Sequence, residues 1–410
     1  MAKEEKKAPK LRFNGYTNDW ERKKLGILTT RVRSYSFSRS VEVKEETGVK
    51  YVHYGDIHTS VANEIGKNNN LPFINETYKE SDELKLDDVI VADASEDYKG
   101  IADAAVIIDN LPYTIIAGLH TIALRPTSLI KGYFLYYIFK TENFKRFGYK
   151  IGTGLKVFGI SYNNLAKYKV YYPQEIEEQE KIIGILSNLT NSINLHERKC
   201  EELTLIKKSL LQKLFPKEDK IKPEIRYKNF SDAWEQRKLG EVATFINGRA
   251  YKQNELLDSG KYKVLRVGNF YTNDSWYYSN LELADKYYID EGDLVYTWSA
   301  TFGPHIWNGE KVIYHYHIWK IELSKFLDRD FTLQILEADK AKLLANTNGS
   351  TMIHVTKKDM ESKVISLPNI EEQKKIGSYL MKFDSLITLH QRKLEKLKQL
   401  KKFLLQNMFI

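Results

Sequence analysis

Ile176-Glu177-Glu178-Gln179 opens a stretch that runs to Phe215, and Ile370-Glu371-Glu372-Gln373 opens a copy of it that runs to Phe409. The two align without a gap at a constant offset of 194 residues (370 − 176). In the first, Ile182, Leu186, Leu189, Ile193, His196, Cys200, Leu203, Lys207, Leu210 and Leu214 recur at alternating spacings of four and three, the a/d seam of a coiled coil. The copy supplies Ile376, Leu380, Phe383, Ile387, His390, Leu394, Leu397, Lys401, Leu404 and Met408, so that a His and a Lys are duplicated in the seam. At about 1.5 Å per residue each stretch predicts a rod of about 57–60 Å. A single heptad run would read as one arm of a helical hairpin or as a homodimer zipper. Two copies in one chain predict intramolecular pairing.

The repetition reaches beyond the helices. Pro9-Lys10-Leu11-Arg12-Phe13 through Trp20-Glu21-Arg22-Lys23-Lys24-Leu25-Gly26 returns as Pro223-Glu224-Ile225-Arg226-Tyr227 through Trp234-Glu235-Gln236-Arg237-Lys238-Leu239-Gly240, an offset of 214 (223 − 9). The chain therefore reads as globule (1–175), helix (176–215), a short charged linker (216–222), globule (223–369) and helix (370–410). Between the anchors the offset drifts from 214 to 194, with Gly118-Leu119-His120 matching His315-Tyr316-His317 at 197. Shared apolar strands joined by loops of different length predict one scaffold that presents two different surfaces.

Strand signals fall at 89–91, 114–117 and 122–124, and in the copy at 262–267, 294–296 and 318–321. One helix is predicted in each globule, near 129–144 and 331–345. The fold class expected is α+β: two homologous mixed α/β globules on a curved sheet, separated by an antiparallel two-helix coiled coil. Helix one ends where the second globule begins, so helix two must run back to pair with it. That order predicts a pseudo-two-fold axis, globules at opposite ends, and two near-equivalent docking surfaces.

At 410 residues and 42% hydrophobic content, two or more ordinary domains are expected. Residues 1–10 form a charged tail with no apolar signal core, and the most apolar run, 104–124, is broken by Asp109 and Asn110. Neither export nor membrane insertion is predicted. Cys200 is the only cysteine, which excludes an intramolecular disulfide and a cysteine zinc site and suits a reducing cytoplasm. A net charge of +9, with 27 Tyr and 18 Phe, permits a nucleic-acid partner without requiring one.

The ordered double set resembles the specificity subunit of type I restriction-modification systems over essentially the whole chain. The likeness rests on Pro173 with Ile176-Glu177-Glu178-Gln179, Pro368 with Ile370-Glu371-Glu372-Gln373, and Trp-Glu-x-x-Lys-Leu-Gly at 20–26 and, with Gln-Arg as the inner pair, at 234–240. Residues 88–100 and 292–304 look like segments common in target-recognition domains. The resemblance implies a DNA-reading subunit without chemistry of its own, each globule reading one half of a split, asymmetric double-stranded site. It implies helices that fix the gap between halves and seat two modification (methyltransferase) subunits, which the motor-nuclease (restriction) subunits join. S-adenosylmethionine, ATP and magnesium would belong to those partners, with no cofactor on this chain. A heptad of about 10 Å matches about three base pairs at about 3.4 Å each, so the rod is expected to act as a ruler if it lies along DNA. A coiled-coil scaffold whose globules bind protein or RNA is the alternative, and an enzyme the third reading.

Enzyme-like motifs are thin. Asn70-Leu71-Pro72-Phe73 and Asn110-Leu111-Pro112-Tyr113 approach the Asn/Asp-Pro-Pro-aromatic motif of amino-methyltransferases, but have Leu at the first Pro position and no Gly-rich cofactor loop before them, so they read as turns. Asp93 with Asp97-Tyr98-Lys99 imitates a carboxylate-x-Lys nuclease core, yet metal-binding carboxylates normally converge from separate strands. His315 and His317 alternate onto one strand face with His305 nearby, and packed or DNA-facing roles are favoured over a metal. Cys200 and His390 are expected near one another as tolerated core, and Lys207 and Lys401 as seam cations that penalise wrong registers.

Base edges need placed donors and acceptors, whereas phosphates need Lys, Arg and amides. In the first globule the candidates are Asp93, Ser95, Glu96, Tyr98 and Lys99, with Lys156, Tyr162 and Asn163. In the second they are Arg249, Lys252, Trp298, Ser299, Thr301, His305, Asn348 and Ser350. Each reads equally as part of an ordinary surface loop.

Overall fold

A computed structural model describes residues 8–96, 100–154, 158–217, 220–271, 273–299, 301–345 and 355–410. The chain divides into two units, one of residues up to 196 with 393–410, the other of 197–392. Each unit holds one globule, part of one long helix and part of the other.

The long helices are Ile176–Leu214 and Ile370–Asn407. Both begin with two glutamates in the first turn, where negative charge meets the positive end of the helix dipole. Every seam residue named above is buried or half-buried, while Leu195, Leu205, Leu389 and Leu400, off the seam, are exposed. In the first unit Ile182 and Leu186 share a core with Leu404, Met408 and Phe409; in the second, Leu214 shares one with Ile376 and Leu380. The start of one helix thus packs beside the end of the other, and the pair is antiparallel. The seam lysines are partnered: Lys207 Nζ donates to the Asp384 carboxylate, and Lys401 Nζ donates to Thr190 Oγ1 at 2.6 Å. Cys200 is half-buried, with a free thiol.

The Ile-Glu-Glu-Gln motif closes each globule onto its helix. Arg12 makes a two-pronged ion pair with Glu178 (2.7 and 2.8 Å), and Arg226 does the same with Glu372 at the same distances. A further guanidinium nitrogen of each donates to a loop carbonyl at 2.7 Å, that of Asn18 or Asp232. The neighbouring glutamines bridge loops: Gln179 Nε2 donates to the carbonyls of Pro173 and Leu129, and Gln373 Nε2 to those of Pro368 and Phe326. Their Oε1 atoms accept from the backbone N–H of Lys131 (2.8 Å) and Asp328 (2.9 Å).

The Trp-Glu motif supplies strands Glu21–Lys24 and Glu235–Lys238, which pair antiparallel with Lys169–Tyr172 and Val364–Leu367, the strands that lead into the helices. Trp20 and Trp234 are buried, each with its ring edge against Phe134 or Phe331 at 5.9 and 6.0 Å. The following glycines are there for close approach: a Cβ at Gly26 would meet Ala166 Cβ at 3.0 Å, and one at Gly240 would meet Glu361 Cβ at 2.9 Å.

Each globule carries two larger sheets, besides two-stranded pairs, where one curved sheet was expected. In the first, Thr29–Val32, Thr121–Pro126, Val89–Ala92, Ala104–Ile107 and Glu64–Ile65 form one sheet, and Thr114–Ala117, Val49–Val52, Phe73–Ile74 and Glu42–Val43 the other. In the second, Ala243–Asn247, Ile318–Leu323, Leu294–Thr297 and Gly303–Ile306 form one, and Tyr277–Ser279, Tyr262–Leu265, Val312–Tyr314 and Tyr288–Ile289 the other. Both sheets of a globule feed one cluster, as Val52, Ala117, Ile90 and Ala123 do in the first and Leu265, Val312, Val295 and Ile318 in the second.

The predicted single helix is single only in the second globule, Arg329–Ala345. In the first it breaks into Gly132–Phe139 and Glu142–Ile151. Thr141 causes the break, because its hydroxyl caps the second helix by accepting from Phe144 N while donating to Ile138 O at 2.6 Å. Among the described residues no helix is long and apolar enough to cross a membrane.

Candidate nucleic-acid interface

In both globules one strand pair ends in the same corner. Ala92 pairs with Thr121, and just beyond it Asp93 N donates to His120 O at 3.0 Å. Thr297 pairs with Ile318, and beyond it Trp298 N donates to His317 O at 3.1 Å. The backbone is shared and the side chains are not.

The first corner carries an acid and an imidazole. His120 Nδ1 lies 3.2 Å from Asp93 Oδ1, and His120, exposed, is held at a positive φ of 56°. The Tyr54 ring sits edge-on to both His120 (5.4 Å) and His58 (5.7 Å), and His58 Nε2 is 2.9 Å from Ala94 O. Burial pushes the Asp93 carboxyl above its ordinary range, with His120 and Arg31 opposing the shift. The second corner carries aromatic rings. Trp298 lies parallel to Trp319 (5.9 Å, 22°), takes His317 on edge at 4.9 Å, and donates its Nε1 hydrogen to Tyr316 O at 3.0 Å. One corner offers a carboxylate acceptor beside an imidazole, and the other an aromatic face beside exposed Tyr316; these suit different base edges.

The other candidates divide. Glu96, Asn163, Lys252 and Thr301 are exposed, and Ser299 is half-buried. Tyr162 is half-buried beneath the Arg31 guanidinium at 5.3 Å. Ser95 does not face solvent: it is 3% exposed, in the strand Ala94–Ser95 that pairs with Phe158–Gly159, and a Cβ at Gly100 would come within 2.6 Å of its Oγ. The Arg249 guanidinium is held by both oxygens of Glu255 (2.8 and 3.1 Å), which lowers the Glu255 pKa and raises its own. His305 is packed, stacked on Phe270 at 4.3 Å with Nε2 3.0 Å from Tyr271 Oη. Tyr98, Lys99, Lys156, Asn348 and Ser350 lie outside the described residues, as does Asp97 of the nuclease-like motif.

His315 lies at an isolated bridge with Arg249 and His317 in the turn that follows, so the two do not alternate along one strand, although their rings are 4.9 Å apart. Among the described residues no group of three His, Cys, Asp or Glu could hold a metal ion. Leu71 of the first Asn-Leu-Pro motif is a core residue. The residues that sequence reasoning left out are His120, Tyr54, His58, Arg31, Tyr271 and Tyr316. The match of 118–120 with 315–317 was the signal that pointed to His120 and Tyr316.

Burial lowers the His305 pKa to about 4, with Lys340 adding to the effect. The folded state therefore keeps a neutral ring while the unfolded chain takes up a proton below about pH 6.5. The contribution to stability is full above that pH and is lost as pH falls from about 6.5 towards 4. Lowering pH from 7 to 4.5 should cost on the order of 2 kcal/mol through this residue. Denaturant titrations of the parent and His305→Gln check it; an equal pH slope in both would exclude His305 as the source.

The chain matches the family model described as type I restriction modification DNA specificity domain twice, at residues 17–205 and 231–399. It is 28% identical over 311 residues to a Methanocaldococcus jannaschii protein named "Putative type I restriction enzyme MjaX specificity subunit", covering 72% of each chain. It is 26% identical over 247 residues to the MjaVIII specificity subunit of the same organism, covering 55% of this chain and 58% of that one. Its fold is similar to that of the type I restriction-modification system S subunit from M. genitalium, with a TM-score of 0.67 at 14% identity over 98% of this chain and 99% of the other. Two family matches, each containing one of the two corners, cover most of the sequence, and the chain belongs to the type I restriction-modification DNA specificity family.

Proposed function

We propose that the chain is the DNA-reading subunit of a type I restriction-modification complex, that each globule reads one half of a bipartite, asymmetric duplex site, and that the long helices hold the spacing between halves. The observation that carries this reading is the shared corner: the same backbone junction presents Asp93 with His120 in one globule and Trp298 with His317 in the other. A symmetric reader would repeat its side chains as well as its backbone. The formal charge of +9 supplies the phosphate attraction that holds such a reader on duplex DNA.

The helices suit protein partners. Ile185 and Tyr379, Leu195 and Leu389, and Ile206 and Leu400 correspond at the offset of 194, and all six are exposed off the seam. Paired apolar positions of this kind suit two modification (methyltransferase) subunits, through which the restriction subunits join. The chain works in the cytoplasm, contributes no catalytic group, and leaves S-adenosylmethionine, ATP and magnesium to its partners.

Exchanging residues 8–175 or 223–369 for those of a relative, with the modification subunits co-expressed and the modified sequence mapped, tests the reading. Each exchange should change one half of the modified site and leave the other. A change in both halves overturns the two-reader division, and modification that neither exchange alters favours a scaffold role.

A further inference from the structure

Beside the break in the first globule's helix lies a cavity of about 330 Å³ lined by Lys140, Glu142, Ile193, Lys398, Lys401 and Lys402, among others. All belong to the first unit. The lining holds four lysines and one carboxylate, Glu142, and the corresponding positions of the second unit carry a different balance.

Lys131 and Asp328 make the same backbone hydrogen bond to their helix-start glutamines, and Phe134 and Phe331 make the same contact with their tryptophans. Both fix the register at 197 (328 − 131). Lys140 then corresponds to Glu337, and Glu142 to Asp339. At the helix offset of 194, Thr190 corresponds to Asp384, Lys398 to Thr204, Lys401 to Lys207 and Lys402 to Lys208. The corresponding positions of the second unit thus hold three carboxylates and two lysines where the first holds four lysines and one carboxylate, and of the three carboxylates Asp384 takes Lys207 while Asp339 takes Lys363 from outside the set.

The local bonds follow the charges. Lys207 and Gln334 both donate to the Asp384 carboxylate. Lys401 instead donates to a neutral hydroxyl, Thr190 Oγ1; Glu64, the carboxylate acting on it from the globule, accepts from Tyr137 Oη at 3.3 Å. Lys140 Nζ donates to Ala104 O at 3.0 Å and lies over the Tyr136 ring at 4.9 Å, again neutral partners. Burial lowers the Lys140 pKa to about 8; Lys145 and Lys401 add to the shift while Asp103 and Glu64 oppose it.

We propose that this cavity binds a small polyvalent oxyanion of the phosphate or pyrophosphate class. Ammonium groups are strong donors to such oxygens. The ten-residue helix Glu142–Ile151 begins at the cavity wall and adds the positive end of its dipole. The volume lies at the small end of the range for ligand cavities, which suits a compact anion.

Calorimetric titration of the full chain with sodium pyrophosphate below pH 8 tests the site, with inorganic phosphate and ATP as parallel arms. Saturable binding tighter than about 1 mM is expected. Thr190→Asp, which supplies the second unit's carboxylate beside Lys401, should weaken binding at least tenfold while the unfolding midpoint stays level or rises. Lys402→Ala, at an exposed position, should weaken it several-fold. Equal affinity for ATP and pyrophosphate would identify a nucleotide tail as an occupant, and binding of the inorganic ions without ATP would identify a free ion; both support the site. Absence of saturable heat, unchanged affinity in Thr190→Asp, or competitive displacement by duplex DNA would overturn it, the last by assigning the lysines to the DNA surface.

Discussion

Arg226→Ala is expected to destabilise the second unit by about 3–5 kcal/mol, because it leaves the Glu372 carboxylate buried and unpaired. Glu372 is fully buried, and both its oxygens are taken by Arg226 at 2.7 and 2.8 Å. The same reasoning holds for Arg12→Ala and Glu178 in the first unit, where the carboxylate is 1% exposed. Arg226→Lys keeps the charge but not the two-pronged geometry, so it should recover only part of the loss. Arg226→Met with Glu372→Leu removes both charges and should cost much less than Arg226→Ala alone. Urea unfolding of the variants measures these differences. If Arg226→Ala cost under about 1 kcal/mol, the pair would rank with ordinary surface bridges and would not close the globule.

Trp298→Ala should remove recognition of one half-site and spare the other. A well-placed base contact is worth about 1–3 kcal/mol of discrimination, so a loss of about 10- to 100-fold in affinity for the native site is expected. Trp298→Phe keeps an aromatic face against Trp319 while losing the hydrogen bond to Tyr316 O, and separates packing from contact. Asp93→Asn with His120→Gln should affect the opposite half in the same assay. Binding to duplexes altered in one half at a time reads this out. A uniform loss across both halves, for either variant, would show that the corners hold phosphate or structure and do not read bases.

Most of the fold was legible because it is written twice. Periodicity alone defines the seam, and the chain order alone makes it antiparallel. The two motifs that carried the resemblance have physical roles that spacing could not show: Glu178 and Glu372 are held by arginines that lie 166 and 146 residues away. The two-sheet globule escaped because many of its strands are only two to four residues long, as at Glu42–Val43 and Phe73–Ile74, too short for an alternation to register. The broken helix escaped because Thr141, set between Lys140 and Glu142, interrupts no apolar spacing and acts only through its hydroxyl. At the interface, the loops were placed by their neighbours in sequence. Burial of Ser95 and engagement of Arg249 by Glu255 depend on what folds against them, and His120 joins Asp93 from 27 residues away.

One pair of hydrogen bonds has a topological meaning. Leu11 N donates to Asn407 O at 2.9 Å, and Ile225 N donates to Lys213 O at 3.0 Å. These are the same junction in the two repeats, since 225 − 11 gives the globule offset and 407 − 213 the helix offset. In the second repeat the peptide chain itself covers the step from Lys213 to Ile225; in the first, residue 407 meets residue 11 with no peptide bond to join them. The same backbone contact is thus made once across a short stretch of chain and once between segments 396 residues apart (407 − 11), so it does not depend on the chain being continuous at that point.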